Sequence, residues 1–353
     1  MKELEKISAQ LIRDLCSCRD CRDEISGQRM RSVMDLSPEL LVLDVAATSS
    51  GFRFTLNDKH EVELQRDTIE EILEGFSDIN WRSEASKVLW DRDHAPRTVF
   101  HWSDIQEDSH DLYQLLDQLL VYGFALVENL PVRDRAVIDL IHRFGYERVT
   151  NYGDIFDVRV ENNPNNLAFT NLAIAPHTDN PYRDPVPTIQ ALHCLESSVT
   201  GGNSGLVDGF RAAHLLREEN PDAFDILSNS LFNFEYRNPT TYLSASAPII
   251  KVDVTGEIIE VRWNDRSMQA PISEIQVDIV YDALRSFAIL VNDARNCHTF
   301  KLNPGDCVIF DNTRTLHART AFDSGGKRHL QGAYADLDSA ISKHAILEEM
   351  LEA

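Results

Sequence analysis

The sequence predicts a mainly β protein of α+β type, with a double-stranded β-helix (jelly-roll) domain, flanking helices and a small α+β domain before it. From residue 167 onward, short apolar runs alternate with turn residues, which is typical of a sheet sandwich. Earlier, three alternating runs within 40–66 and an Asn57-Asp58 turn predict a small antiparallel sheet. The chain has 353 residues, and we expect domains over 1–95 and 96–353.

The individual elements follow from the period of the apolar residues and from turn and cap signals. Apolar and polar residues alternate in the expected strands, and the expected helices show the helical period. The strands are expected over 41–45, 52–56, 61–64, 124–127, 189–195, 206–207, 249–252, 307–310 and 330–334. The helices are expected over 2–15, 68–76, 111–122, 133–144, 209–228 and 272–288.

The charge of the chain argues against two classes of partner. It carries 34 Lys and Arg against 57 Asp and Glu, a formal net charge of −23. Such a surface repels phosphate backbones and anionic lipids, so neither a nucleic acid nor a membrane is an expected partner. No apolar run approaches the length of roughly 20 residues that a membrane helix needs. The N-terminus has no signal-peptide pattern, so we expect a cytoplasmic protein.

Three of the six cysteines fall in one Cys-x-Cys-x-x-Cys cluster, Cys16, Cys18 and Cys21. Because a reducing cytosol disfavours disulfides, metal binding is the better explanation. Three thiolates leave a tetrahedral zinc ion one ligand short. His60, on a predicted strand turn, and His94 are the two histidines that fit as the fourth ligand. The alternative is a loop with three reduced thiols.

A second group of residues has the spacing of an iron site. His177 and Asp179 are two residues apart, so on a strand both side chains point to the same face. His317 lies on a later predicted strand, and Arg328 follows it by 11 residues. Two histidines and one carboxylate form the facial triad of non-haem Fe(II) oxygenases, and an arginine nearby can pair with a dicarboxylate cosubstrate. The alternative is two unrelated histidines and a surface arginine.

These residues, in this order, resemble the 2-oxoglutarate-dependent dioxygenases related to taurine dioxygenase. The resemblance is closer to the γ-butyrobetaine dioxygenase branch and covers nearly the whole chain. The motifs that carry it are the segment from Leu11 to Cys21, Asn151-Tyr152-Gly153, Phe156-Asp157-Val158-Arg159, Leu192-His193-Cys194, Thr200-Gly201-Gly202-Asn203-Ser204, Val207-Asp208-Gly209-Phe210, Phe310-Asp311-Asn312 and Gly332-Ala333-Tyr334-Ala335-Asp336.

The resemblance implies an enzyme, an oxidoreductase that uses O2 to hydroxylate a small molecule. It implies Fe(II) on His177, Asp179 and His317, with 2-oxoglutarate as cosubstrate. Arg328 and Ser204 are implied as the residues that bind the cosubstrate. His60 is implied as the ligand that completes a structural zinc site. A homodimer is the implied assembly.

The resemblance also implies a substrate that carries a trimethylammonium group. Aromatic faces hold such a cation, which has no hydrogen-bond donor, and the implied cage is Tyr152, Phe156, Phe169 and Tyr334. The chain departs from the branch after His-x-Asp, where Asn180 stands in place of the usual Tyr or Leu. Polar residues that we expect near the substrate's anionic end are Asn165, Asn166, Asn180, Arg183, Asn264 and Arg266.

The extra amide and guanidinium donors favour an anion larger than a carboxylate. Because relatives in the branch that the motifs resemble hydroxylate 2-(trimethylammonio)ethylphosphonate next to phosphorus, the resemblance implies this compound as the expected substrate, in organophosphonate breakdown. The first alternative is γ-butyrobetaine, converted to carnitine. More remote alternatives are a trimethyllysine or sulfonate hydroxylase and a metal-binding module without catalysis.

Overall fold

A computed structural model of the chain describes residues 4–74, 86–160, 170–271, 276–323 and 325–352. Its contacts divide the chain into two compact units, Met1–Ile79 and Asn80–Ala353. The boundary expected near residue 95 lies within the second unit. Trp90, which precedes the expected boundary, belongs to the second unit. Its ring packs edge-on against Phe124 with the ring centroids 5.0 Å apart, and its indole N–H donates to the carbonyl of Tyr122.

The first unit is a three-stranded antiparallel sheet with short helices. Its elements are α1 (Ala9–Asp14), β1 (Val42–Ala47), β2 (Gly51–Leu56), β3 (Glu61–Gln65) and α2 (Arg66–Glu74), with strand order β1-β2-β3. This confirms the predicted sheet. The single helix expected over 2–15 is wrong, because extended backbone at Ser8 separates a 3-10 turn, Leu4–Lys6, from α1. Ile12, Phe54 and Leu56 form the centre of its core.

The second unit contains two sheets that form the expected jelly roll. The strands of this unit are β4 (Val99–His101), β5 (Phe124–Glu128), β6 (Phe156–Arg159), β7 (Ile174–His177), β8 (Ile189–Ser197), β9 (Ser204–Asp208), β10 (Phe232–Arg237), β11 (Tyr242–Ala247), β12 (Ile250–Val252), β13 (Ile258–Val261), β14 (Cys297–Phe300), β15 (Cys307–Asp311), β16 (Thr315–Arg319) and β17 (Arg328–Ala335). The larger sheet has the strand order β4-β5-β15-β8-β17-β6, and the smaller sheet has the order β14-β9-β16-β7. β10 pairs with β11, and β12 with β13.

Helices flank these sheets, as the sequence predicted. They are α3 (His110–Tyr122), α4 (Ala136–Ile141), α5 (Gly209–Glu219), α6 (Pro221–Asn229), α7 (Val277–Asn292) and α8 (Leu337–Glu352). The sequence sets the ends of α3 directly. The hydroxyl of Ser109 accepts from the backbone N–H of Leu112, and Gly123 ends the helix in the left-handed conformation at φ 82°, a conformation that glycine adopts at low cost.

Two predicted helices differ from those in the structure. The helix expected over 209–228 is two helices, because Pro221 has no N–H to continue α5 and instead begins α6. The helix expected over 133–144 is shorter, since Arg135 has a positive φ of 67° and α4 begins only at Ala136. Residues 272–275 of the last expected helix lie outside the described residues.

A cavity of about 410 Å³ lies between the two sheets of the second unit. Side chains from β6, β8, β15 and β17 line one wall, and side chains from β7, β9 and β16 line the other. On the opposite face of the larger sheet, α3, α4 and α8 cover an apolar core. Within the described part of the chain, no helix is both long and apolar enough to cross a membrane.

Candidate active site

His177, Asp179 and His317 come together at one end of the cavity. Antiparallel pairing of β16 with β7 places His317 opposite His177, and the two ring centroids are 4.1 Å apart. Asp179 follows β7, and its Oδ1 lies 3.4 Å from Nε2 of His177 and 3.9 Å from Nε2 of His317. One ligand atom from each residue lies within 4.8 Å of the others, so the group could hold one metal ion.

The surroundings of the three side chains suit a metal. Nδ1 of His177 donates to the carbonyl of Ala175 at 2.9 Å, which turns Nε2 toward Asp179. Burial, together with the neighbouring His177 ring, lowers the pKa of His317 to about 3, so this imidazole is neutral at pH 7. Burial would raise the pKa of Asp179, but the two histidines and the Tyr334 hydroxyl outweigh it and hold this pKa below its ordinary value.

Hydrogen bonds fix the position of Asp179. Its backbone N–H donates to Oδ1 of Asn312 at 2.7 Å, and its carbonyl accepts from Nδ2 of Asn312 at 3.0 Å. Its carboxylate Oδ2 accepts from Nε2 of Gln190 at 2.9 Å and from the hydroxyl of Tyr334 at 2.8 Å. Oδ1 is therefore the carboxylate oxygen turned toward the histidines.

The cavity carries an excess of positive charge. Among the described residues that line it, four are arginines, Arg237, Arg266, Arg319 and Arg328, and two carry carboxylates, Asp179 and Glu235. Arg328, which is 7% exposed, donates from Nε to the carbonyl of Gly202 at 3.1 Å. Burial and then repulsion by Arg328 and Arg266 lower the pKa of Arg319 to about 10. Such a cavity favours anionic ligands.

Ser204 lines the cavity as the first residue of β9. In the strand register it lies opposite Arg319. A side chain at Gly202 would meet Cδ of Arg328 at 3.0 Å, so the glycine leaves room for this buried arginine. The structure thus brings Ser204 and Arg328 to the same cavity as the histidines.

Aromatic side chains line part of the cavity and form an aromatic wall, which consists of Tyr152, Phe156, Tyr182, Tyr236 and Tyr334. The rings of Phe156 and Tyr334 stack with centroids 4.9 Å apart, and Tyr152 lies 6.4 Å from Phe156. Tyr182 and Tyr236 stack at 5.1 Å, and the hydroxyls of Tyr182 and Tyr152 are 3.0 Å apart. Three of the four expected aromatic residues are therefore together, and Phe169 lies outside the described residues.

The residues expected at the anionic end separate into three groups. Asn180, Asn264 and Arg266 line the cavity. Arg183 does not, because its guanidinium donates to Oδ1 of Asn151. Asn165 and Asn166 lie outside the described residues.

Asn180 and Asn264 differ in what their amides do. Asn264 donates from Nδ2 to the carbonyl of Thr178 at 3.1 Å and accepts at Oδ1 from the backbone N–H of Arg266 at 3.2 Å. Asn180 is 3% exposed, and neither of its amide atoms has a hydrogen-bond partner among the described residues. Its φ of 54° is in the left-handed region that asparagine tolerates.

Sequence reasoning did not assign roles to five residues of this site. They are Tyr182, Gln190, Tyr236, Asn312 and Arg319. Asn312 and Arg319 carried a detectable signal, since they lie in the segment around His317, and Arg319 shares a strand face with that histidine. Tyr182 and Gln190 follow Asp179 closely in the sequence, but no spacing rule predicts that their side chains enter the cavity, and Tyr236 reaches it from the β10–β11 hairpin.

The cysteine cluster lies in the first unit. Cys16, Cys18, Cys21 and His60 place their ligand atoms within 4.8 Å of one another. Nε2 of His60 is 3.8 Å from Sγ of Cys18 and 3.7 Å from Sγ of Cys21, near the N···S separation of about 3.6 Å that a tetrahedral zinc ion with one Zn–N and one Zn–S bond produces. His94, the alternative fourth ligand, instead bonds Asp91 at 2.7 Å.

A buried arginine supports the cysteine cluster. Arg13 is 2% exposed and donates to Sγ of Cys21 at 2.9 Å and to Oδ2 of Asp58 at 2.7 Å. The same carboxylate oxygen lies 3.3 Å from Nδ1 of His60. A carboxylate behind a histidine orients its other nitrogen toward a metal, so the surroundings of the cluster fit a metal ion.

The fold and the two-histidine, one-carboxylate site define a known class of protein. The taurine catabolism dioxygenase TauD, TfdA family matches residues 91–334, which is more than half of the chain. The chain belongs to this family and is a 2-oxoglutarate-dependent dioxygenase, which confirms the predicted enzyme class.

Individual relatives confirm the branch that the sequence motifs resemble. The chain is 32% identical to the γ-butyrobetaine dioxygenase of Pseudomonas sp. (strain AK-1), over 96% of this chain and 89% of that protein. It is 30% identical to the human γ-butyrobetaine dioxygenase, over 97% and 91%. A solved taurine dioxygenase from Burkholderia xenovorans is similar with a TM-score of 0.50, covering 65% of this chain and 83% of that one at 15% identity, and shows the fold alone.

Proposed function

We propose that His177, Asp179 and His317 hold Fe(II), and that the positions facing the cavity take 2-oxoglutarate and O2. The observation that carries this is the site itself: two imidazole Nε2 atoms and one carboxylate oxygen converge at the end of a cavity. The neutral His317 and the ionised Asp179 match the ligand types that non-haem iron prefers. When bound, Fe(II) with 2-oxoglutarate supplies the O2 activation that hydroxylates a C–H bond.

Arg328 and Ser204 bind the distal carboxylate of 2-oxoglutarate in this proposal. Arg328 is buried and keeps its donors beyond Nε for a ligand that can accept two parallel hydrogen bonds. Ser204 adds a hydroxyl donor from β9. The two residues orient the cosubstrate, so that its keto-acid end reaches the metal-binding residues.

The aromatic wall suits a substrate with a trimethylammonium group. A methylated cation is held by ring faces within about 6 Å, and Tyr152, Phe156 and Tyr334 offer such faces in the same cavity as the metal-binding residues. Tyr182 and Tyr236 extend the wall. The names of the two γ-butyrobetaine dioxygenases support the same substrate class.

At the other end of the substrate, we propose a phosphonate. The buried amide of Asn180 gains the partner that it lacks if an anion lies against it, and leaving such a group unsatisfied costs stability. The arginines that line the cavity and a bound Fe(II) exceed the carboxylates of Asp179 and Glu235 by four positive charges, which would offset 2-oxoglutarate together with a second dianion. The best match is 2-(trimethylammonio)ethylphosphonate, hydroxylated at the carbon next to phosphorus.

The second candidate is hydroxylation of γ-butyrobetaine to carnitine. It is favoured by the identity of 30% or more to γ-butyrobetaine dioxygenases over nearly the whole chain. Its carboxylate has two acceptor oxygens where a phosphonate has three. Taurine has no methylated cation for the aromatic wall, and trimethyllysine needs partners for an amino-acid head group. Because the chain is a 2-oxoglutarate-dependent dioxygenase, the alternative of a metal-binding module without catalysis is excluded.

The test is anaerobic reconstitution with Fe(II) and 2-oxoglutarate, followed by O2. Equal concentrations of the phosphonate and of γ-butyrobetaine are supplied in parallel, and both succinate and hydroxylated product are quantified. We expect the higher kcat/KM for the phosphonate. Faster turnover of γ-butyrobetaine would contradict the phosphonate assignment, and succinate from neither would contradict the trimethylammonium class.

A charge change at Asn180 sharpens this test. Asn180→Asp keeps the size and the tolerance of a positive φ but places a carboxylate against the anion. We expect kcat/KM for the phosphonate to fall by about 10–100-fold, the loss typical of a polar substrate group without its partner. Asn151→Asp is the matched control, because Asn151 bonds Arg183 and does not line the cavity.

For the first unit, we propose a structural zinc ion on Cys16, Cys18, Cys21 and His60. Four ligands complete a tetrahedral shell and leave no position for a substrate. Three thiolates, one neutral imidazole and Zn²⁺ carry one net negative charge, which the buried Arg13 offsets. The homodimer implied by the resemblance stays a prediction.

A further inference from the structure

The two oxygens of the Asp179 carboxylate have different surroundings. Oδ1 faces the two histidines. Oδ2 accepts two hydrogen bonds, one from Gln190 and one from Tyr334. Gln190 and Tyr334 are partners in the strand register of β8 and β17, so one rung of the larger sheet supplies both donors.

Tyr334 touches two parts of the cavity at once. Its ring stacks on Phe156 in the aromatic wall, while its hydroxyl lies 2.8 Å from Oδ2 of Asp179. The residue is buried, and because an ionised carboxylate oxygen can only accept a hydrogen bond, the Tyr334 hydroxyl is the donor in this contact.

We propose that Tyr334 is a positioning residue that, with Gln190, keeps Asp179 bound to the metal through one oxygen only, while its ring forms part of the trimethylammonium pocket. This rests on the proposed iron site and aromatic pocket. A six-coordinate ion with three protein ligand atoms keeps three positions for 2-oxoglutarate and O2. If Oδ2 lost its two donors, it could turn to the metal and take one of these positions.

A purely structural role has different consequences. A buried tyrosine hydroxyl needs some acceptor, and removal of a merely structural hydrogen bond changes stability without changing the metal's coordination. The two explanations separate if the hydroxyl and the ring are removed independently. Tyr334→Phe removes the hydroxyl and keeps the ring. Gln190→Met removes the other hydrogen-bond donor to Oδ2 of Asp179.

The experiment measures two dissociation constants by anaerobic calorimetry on the whole chain. One is for Mn(II), as a probe of the metal site, and the other is for tetramethylammonium, as a probe of the aromatic pocket. For Tyr334→Phe we expect Mn(II) binding to weaken by about tenfold, because the Asp179 carboxylate is no longer held in its binding position and loss of a hydrogen-bond partner of a metal ligand typically costs about 10–100-fold in metal affinity. We expect tetramethylammonium binding to change less than about twofold. Gln190→Met should behave in the same way.

Phe156→Leu is the matched control for the other half of the proposal. It removes a ring that stacks on Tyr334 and leaves both donors to Oδ2 in place. We expect tetramethylammonium binding to weaken by about tenfold with the Mn(II) constant unchanged. Tyr334→Leu should weaken both.

The absorption spectrum of the Co(II)-substituted protein reports the coordination directly. We expect the ligand-field bands of the 2-oxoglutarate complex to differ between the wild type and Tyr334→Phe, since a second carboxylate oxygen changes the ligand set. The inference is wrong, and the proposed function stands, if the wild type binds both probes but Tyr334→Phe and Gln190→Met keep the wild-type dissociation constant for Mn(II) and the wild-type Co(II) spectrum. Failure of the wild type to bind Mn(II) would overturn both.

Discussion

The two clusters of metal-binding side chains differ in the number of ligands and in their surroundings. The cluster in the first unit has four, three thiolates and His60, supported by Asp58 and Arg13. The cluster in the second unit has three and opens on a cavity of about 410 Å³. A closed shell stabilises a fold, whereas an open one can take a cosubstrate and oxygen. The ligand count and the cavity together separate the two proposed roles.

The two clusters also differ in how far the polar groups around them are hydrogen-bonded within the protein. Around the cysteines, Arg13 is hydrogen-bonded to Cys21 and Asp58. Around the triad, Nε of Arg328 donates to a backbone carbonyl, and Asn180 has an amide that no described residue satisfies. The arginine beside the cysteines is already paired with a thiol and a carboxylate, although its Nη2 has no partner among the described residues, whereas the polar groups around the triad gain hydrogen bonds when ligands enter. Each prediction below changes one cluster or the residues around it.

The largest effect is expected for His177→Ala. It removes one of only three ligands and leaves the first unit unchanged. We expect succinate formation to fall by more than about 100-fold, beyond what changes outside the ligand shell cause, while zinc analysis gives the same content as in the wild type. Retained succinate formation would remove His177 from the iron site, and a loss of zinc would show that the two clusters are not independent.

Cys21→Ser is the complementary change in the first unit. It removes a thiolate and the acceptor of the Arg13 hydrogen bond. Because zinc binding free energy is folding free energy in small metal domains, we expect zinc to be lost on dialysis and hydrogen exchange to rise across β1–β3.

Cys297→Ser is the control for that change, since Cys297 lies outside both clusters. It should keep its zinc and its protection from exchange. If Cys21→Ser retained a full equivalent of zinc after dialysis, the four-ligand assignment would be wrong.

Arg328→Met tests whether the open cluster takes its anionic cosubstrate as proposed. A buried guanidinium that pairs with a carboxylate is worth about 2–5 kcal/mol when removed, so we expect KM for 2-oxoglutarate to rise by about 100-fold. Zinc content should not change. Arg133→Met, at an exposed arginine paired with Asp139, is the control, and an equal rise in KM there would contradict the assignment.

Sequence reasoning found the part of each cluster whose signal is local, whereas His60 and His317 are distant in sequence and were assigned through the family resemblance. The spacing of Cys16, Cys18 and Cys21 and that of His177 and Asp179 are short, and strand periodicity places the latter two on one face. The jelly roll was predicted from strand spacing. Tyr182 and Tyr236 were missed because they reach the aromatic wall from a loop and from the β10–β11 hairpin. Their contact depends on tertiary packing, which no local period encodes.

The break at Pro221 shows a different limit. The helical period continues through 209–228, and the proline that interrupts it carries the signal. A proline at the first position of a helix is favourable, so the sequence favours two helices once that position is weighed against the period. Asn180 lies between these cases: its departure from the branch was visible in the sequence, but its missing hydrogen-bond partners are a property of the fold.

Gly332→Ala gives the smallest expected effect and tests the aromatic wall through its support. Gly332 pairs with Phe156 in the register of β17 and β6, and an added Cβ would lie 2.3 Å from Cζ of Phe156. The ring must move, so we expect KM for the trimethylammonium substrate to rise by about tenfold and stability to fall by about 1–3 kcal/mol, as for other overpacked sites. Gly325→Ala is the control, because its nearest neighbour would be an Asp323 oxygen at 3.9 Å.

In Gly332→Ala, the Mn(II) dissociation constant should stay at the wild-type value, since the two oxygens of Asp179 keep their partners. A change in metal binding without a change in KM would mean that the ring of Phe156 supports the metal site and not the substrate pocket.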